Sequence, residues 1–243
     1  MKIALVLSGL SRYTDETFPL LKEYLTDENT DIYVHTWNIP HNGFTPIGSW
    51  FMDQGVKSVQ IERYDLFKER FPHDESVVPM YYSIWQGNNL IKEDYDIVIR
   101  CRSDIWFKEP IPKEELEKVQ EDEEIIFVRY NGDIPKHEQG WPMHKGKFKL
   151  RNGYPYVADQ FAFGSQKAMN IYADTFNSLE TVREEVSSAG MGKKLVGELA
   201  LGGHLEKHSE VYPQWSQIRF DMPTGLDNDG NLQIGNYYTN IYA

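Results

Sequence analysis

Ile3 to Leu7 are apolar without a break, and the run stops at Ser8-Gly9. A strand with one wet face alternates apolar and polar residues. An uninterrupted run instead marks a strand covered on both faces, the situation of a sheet sandwiched between helices. Lys2–Leu7 therefore predicts a central strand of an α/β fold. The segments that follow extend the pattern. Thr14–Leu25 predicts a helix, with Phe18, Leu21 and Leu25 recurring at helical spacing. Asp31–His35 and Val56–Glu62 predict strands, and Pro79–Ile91 predicts a helix with Met80, Ile84 and Ile91 on one face. Asp96–Cys101, Glu124–Arg129 and Gln160–Gly164 predict further strands, Gln166–Leu179 and Gly192–Lys207 helices, and Glu210–Phe220 a strand-like stretch. Strands alternating with helices imply right-handed crossovers and a mostly parallel sheet in one Rossmann-like domain spanning 1–243. Two parts escape the pattern: 130–156, expected to be a flexible basic loop, and 222–243, expected to be an irregular tail.

Composition narrows the function. Lys plus Arg is 25 against 37 Asp plus Glu, a formal net charge of -12, which excludes general nucleic-acid binding. No apolar run approaches the length of a bilayer-spanning helix, and Ile3–Leu7 is too short for a signal-peptide core. A cytoplasmic protein is expected. Cys101 is the one cysteine, so an intrachain disulfide and a multi-cysteine zinc site are excluded.

In an open parallel sheet, ligands bind beyond the carboxyl ends of the strands. The first strand ends in Ser8-Gly9-Leu10-Ser11-Arg12, with small residues that let backbone N–H groups approach a ligand and an arginine able to fork onto phosphate. Neither a G-x-G-x-x-G fingerprint nor a P-loop is present. The fourth strand ends in Arg100-Cys101-Arg102-Ser103-Asp104, where alternation puts Arg100, Arg102 and Asp104 on one face. Such charges at a buried strand end pair with one another or hold a ligand; Asp104 offers a hard oxygen to a divalent cation. The competing reading is a ligand-free Arg–Asp cluster. Trp37 is a candidate base-stacking residue or a core residue, and Gln86 with Asn89 a candidate donor contact. Lys113–Glu124, with seven acids, reads as a solvated helix face; Lys145, Lys147, Lys149 and Arg151 form a candidate flap over an anion.

Ile3–Gly9 with Arg12, Asp31–Trp37, Tyr95–Asp104 and Asp159–Ser165 occur in that order, and this succession resembles small GT-A type nucleotide-sugar glycosyltransferases, particularly the WavE-like lipopolysaccharide-synthesis group and related viral sugar transferases. The resemblance covers roughly positions 1–210. It implies a glycosyltransferase of hexosyltransferase type, with a nucleoside diphosphate sugar as donor and a glycan or glycolipid as acceptor. By this resemblance Ser8, Gly9 and Arg12 cradle the donor's base and ribose, and Asp104 is the last aspartate of a D-x-D metal motif for Mn2+ or Mg2+. Arg102 stands where that motif has its first carboxylate, a departure that lets a guanidinium neutralise phosphate. The resemblance places Asp159 against sugar and acceptor, as the catalytic base, and His204 in the metal shell. Glu198 is the rival base. Gly202-Gly203 would end the helix and let His204 turn inward. Two other classes stay open: a non-catalytic nucleotide-sugar or glycan binding module, and a metal-dependent phosphohydrolase.

Overall fold

The computed structural model describes residues 1–41, 44–71, 77–129, 157, 159–188, 197–226 and 232–235 of the 243. The candidate flap, with Lys145, Lys147, Lys149 and Arg151, lies outside the described residues.

The strands of the main sheet are β1 (Ile3–Gly9), β2 (Thr30–Trp37), β3 (Ser58–Glu62), β4 (Ile97–Cys101), β6 (Ile125–Arg129), β7 (Phe161–Gly164) and β8 (Tyr212–Ser216); the two-residue β5 (Trp106–Phe107) lies outside it. Their order is β3-β2-β1-β4-β7-β6-β8. All adjacent pairs are parallel except those of β7, which runs antiparallel to β4 and β6. The mostly parallel α/β sheet is therefore present, with one reversed strand that the sequence pattern did not signal.

Alternation along the strands sorts two cores. Ala4, Val6 and Val98 face one helix layer, made of α3 (Tyr64–Arg70), α4 (Val77–Asn89), α6 (Gln166–Ala173), α7 (Thr175–Ser188) and α8 (Gly197–Glu206). Ile3, Leu5, Leu7, Ile97, Ile99 and Cys101 face the other, made of α1 (Thr14–Leu25), α2 (Gly48–Asp53) and α5 (Lys113–Glu121). This two-sided burial is why the strands lack polar alternation. On the same side as the second layer, β5, β9 (Phe220–Leu226) and β10 (Leu232–Gly235) form a three-stranded sheet. The expected irregular tail is thus corrected in part: β9 and β10 pair antiparallel. The expected solvated face of α5 is corrected at Glu115, which is buried and accepts from Ser216 Oγ (2.6 Å) and the Gln217 amide (2.7 Å). Among the described residues no helix is long and apolar enough to cross a membrane.

The chain builds β2 and β3 on one side of β1, then crosses to place β4 on the other. This reversal opens a crevice at the carboxyl ends of β1 and β4, the position where such sheets bind ligands.

Candidate functional site

A cavity of about 430 Å3 lies at that crevice. It is lined by Ser8, Gly9, Leu10 and Arg12 from the end of β1, by Arg100 and Arg102 from the end of β4, and by an apolar wall that includes Trp37, Tyr64 and Met80. Its size is that of a small-molecule site, on the order of 300–1,000 Å3. Among the described lining residues there are three guanidiniums and no carboxylate.

The loop after β1 is held in shape by hydrogen bonds. Gly9 has φ +114, a backbone conformation that a side chain would strain, and its N–H donates to Ser83 Oγ on α4 (2.7 Å). Tyr13, the residue before α1, has φ 53, and its ring packs against Trp106 and His41. Ser103 ties the two strand ends together: its hydroxyl donates to the Leu10 carbonyl (2.7 Å) and its own carbonyl accepts from Thr17 Oγ1. His35, buried below, has its pKa lowered by burial against the pull of Glu62. As a neutral ring it donates from Nε2 to Glu62 (3.1 Å), which leaves Nδ1 to accept from Ser83 (2.7 Å).

The charged groups sit on this frame. Arg100 is only 2 % exposed; it donates from Nε to Ser8 Oγ (2.9 Å) and from Nη1 to the Asp159 carbonyl. Its Nη2 is buried and has no hydrogen-bond partner among the described residues. Arg102 grips Asp104 with two hydrogen bonds, Nε to Oδ1 (2.8 Å) and Nη2 to Oδ2 (2.7 Å), and Arg12 adds an ion pair, with Nη2 2.8 Å from Oδ2. Arg12 Nε is likewise buried and unpartnered. Asp104 is 1 % exposed, and although burial pushes its carboxyl up, Arg102 and Arg12 outweigh it and hold it below the usual carboxylate range. Burial pulls the Arg102 guanidinium down, but Asp104 outweighs that and raises it; in Arg12 burial prevails.

Ser8, Gly9, Arg12, Arg102 and Asp104 are thus brought together, as their strand-end positions predict. Asp159 stands beside them, through its carbonyl on Arg100, but is not among the residues lining the cavity. Its carboxyl lies against Gly197, where an added Cβ would come 2.1 Å from Oδ2. Burial raises its pKa despite the opposing pull of Arg100 and Arg102.

His204 is elsewhere. The helix α8 runs through Gly202 and Gly203 to Glu206 and is not ended by them. His204 is fully buried, with Nδ1 on Ser178 Oγ (2.8 Å) and Nε2 on the Ile171 carbonyl (2.7 Å), and burial lowers its pKa to about 4. Both ring nitrogens are engaged by α6 and α7, and His204 is not among the described residues that line the cavity.

Nor do the residues present fit Mn2+ or Mg2+ at Asp104. Both its oxygens are taken by guanidiniums, and a cation placed there would face two like charges. At about 4 Å each pairing of a divalent ion with a guanidinium costs on the order of 8 kcal/mol for surroundings of intermediate polarity, twice the figure for two unit charges. Among the described residues no three His, Cys, Asp or Glu side chains group as a metal site requires. In this structure Asp104 is a carboxylate that pairs with Arg12 and Arg102.

No protein-family model matches the sequence, and neither does any curated protein. The chemistry of the cavity therefore rests on its own residues. Trp37 is buried in an aromatic cluster, stacked on Tyr82 and packed on Phe67, with one edge at the cavity. Gln86 donates to Tyr82 within its own helix, and Asn89 lies at the far end of α4, so neither contacts the cavity. Arg100 takes the place that alternation predicts for it, on the face of Arg102 among charges that pair or hold a ligand, whereas the Met80–Tyr64 wall has no site role assigned from sequence.

Proposed function

We propose that the chain is a glycosyltransferase of GT-A type, transferring a sugar from a nucleoside diphosphate sugar to a hydroxyl of a glycan acceptor. The observation that carries this reading is the convergence of Arg12, Arg100 and Arg102 with the Ser8–Gly9 backbone on one cavity at the sheet's reversal point. A doubly charged, bidentate anion suits guanidinium forks, and the apolar wall suits the flat base of a nucleotide.

In the proposed reaction the acceptor oxygen bonds to the anomeric carbon as the bond from that carbon to the β-phosphate oxygen breaks. The electron pair leaves with the diphosphate, and the hydroxyl proton passes to a carboxylate. We assign this proton transfer to Asp159, because its carbonyl is held by Arg100 of the cavity and its carboxyl lies by Gly197 next to Met80 of the cavity wall. Burial also raises its pKa, which favours a general base. The positive wall stabilises the charge that develops on the leaving group.

The test is a panel of nucleoside diphosphate sugars assayed for thermal stabilisation and for release of nucleoside diphosphate with a glycan acceptor. Stabilisation by one donor, with turnover that Asp159→Asn abolishes, supports the reading. Stabilisation without turnover by any acceptor would make the protein a binding module instead. Release of inorganic phosphate without sugar transfer would make it a phosphohydrolase.

A further inference from the structure

Buried guanidinium N–H groups without partners are uncommon, and each calls for an explanation. Among the described residues two occur at one cavity: Arg100 Nη2 and Arg12 Nε. Arg100 cannot swing away to find water, because Ser8 Oγ and the Asp159 carbonyl hold its other two nitrogens. Arg102 is likewise fixed by two hydrogen bonds to Asp104, and Arg12 is ion-paired to the same carboxylate, which leaves that carboxylate unsuited to a cation. The result is a rigid set of donors that needs an anion for completion.

We infer that Arg12, Arg100 and Arg102 receive the diphosphate directly and take the place of a divalent cation, with Arg100 Nη2 as the fixed receptor for a phosphate oxygen. This deepens the sugar-transfer reading and rests on it for the identity of the ligand. Asp104 then acts as a positioning residue, holding two of the three guanidiniums at the cavity wall. The charge gained by the leaving β-phosphate oxygen is met by the guanidiniums, which are present before the reaction and need not be recruited.

The experiment measures binding of pyrophosphate and of the nucleoside diphosphates of uridine and guanosine by calorimetry, once in excess EDTA and once in excess Mn2+. It uses the full chain, Arg12→Met and Arg100→Lys, with circular dichroism to confirm folding. Should Arg100→Lys fail to fold, Arg12→Met, whose side chain is 32 % exposed, carries the test alone. The expected result is an affinity in EDTA within about threefold of that in Mn2+, weakened about 10- to 100-fold by loss of a charged hydrogen-bond donor. Binding that appears only with Mn2+, or that Arg12→Met leaves unchanged, overturns the inference while the sugar-transfer reading stands. Metal-free binding of pyrophosphate without preference for any nucleotide, and without sugar transfer, keeps the anion receptor and sinks the transfer reading. No binding of any of the three ligands in either condition overturns both.

Discussion

His204 and Arg100 are both buried polar groups in the same α/β domain, yet they are satisfied to opposite degrees. His204 sits between α6, α7 and α8 with each ring nitrogen on a protein partner. Arg100 sits at the crevice between β1 and β4 with one nitrogen on Ser8, one on the Asp159 carbonyl and one with no partner among the described residues. A buried polar group that is fully bonded helps to specify packing; one left short has desolvation to recover from a ligand. The difference separates a structural histidine from a candidate binding arginine, although both lie in segments that sequence reasoning assigned to one metal-assisted site. Substitutions around the cavity should therefore alter function most, and those around His204 stability most.

The sharpest separation is expected at Asp159. Asp159→Asn keeps the size of the side chain and removes the base, so turnover should fall about 10²- to 10⁴-fold while donor binding changes little. The acid limb of the pH profile supplies a second check. Because burial raises the Asp159 pKa, activity should begin to fall on acidification at a pH above the ordinary aspartate value of 3.8. Steady-state kinetics with donor titrations would show it; a loss of binding equal to the loss of turnover would remove Asp159 from the role of base.

Asp104 should blur the division, since it serves the site by holding the fold. Removing it in Asp104→Ala leaves Arg102 and Arg12 without their shared partner. Breaking a buried ion pair costs about 3–5 kcal/mol; since the guanidiniums are 25 % and 32 % exposed, about 2–4 kcal/mol is expected here. Denaturant unfolding measures this, and a variant as stable as the parent would show that the guanidiniums hold position without Asp104.

His204 should show the opposite behaviour. Its folded pKa of about 4 lies below the 6.5 of the unfolded chain, so between these values the unfolded state binds more protons. Stability is then complete above pH 6.5 and declines as the pH falls toward 4, by roughly 2–3 kcal/mol in total. His35, also shifted down, adds to the same slope. His204→Gln should flatten the dependence of unfolding free energy on pH in that window while leaving nucleotide affinity unchanged. An unaltered slope would place its origin elsewhere.

The sequence was informative where burial leaves a periodic trace. Helix α1 falls on Thr14–Leu25 as expected because Phe18, Leu21 and Leu25 are all buried against the sheet. The central strands lie within a residue or two of their expected limits for the same reason. Helices α2 and α3, of six and seven residues, are too short to display a helical period and went unseen. The single helix expected over Gln166–Leu179 is two, divided at Asp174, which accepts from Asn177 through its side chain. At the site, Ser8, Gly9, Arg12, Arg102 and Asp104 were legible as strand-end residues. What Asp104 holds was not, because carboxylate–guanidinium and carboxylate–cation sites draw on the same residue types. The unpartnered nitrogen of Arg100 is a tertiary property with no sequence signature at all. His204 was misplaced because Gly202-Gly203 ordinarily ends a helix; here both glycines are buried within α8.

The smallest expected effect lies where the two regions meet, at Gly197. It begins α8, whose other end carries His204, and its carbonyl accepts from Tyr81 (2.7 Å) while its Cα faces the Asp159 carboxyl. An added methyl group would come 2.1 Å from Asp159 Oδ2 and 2.9 Å from Met80 Cε. The methionine end can move aside, but the carboxylate is confined, so Gly197→Ala should displace Asp159 and cost about 1–2 kcal/mol. If Asp159 is the base, turnover should fall by more than this stability loss accounts for, and the raised acid limb should shift as the carboxyl finds a new environment. A variant that loses stability but keeps its turnover and pH profile would show that Asp159 packs α8 against the sheet and takes no part in proton transfer.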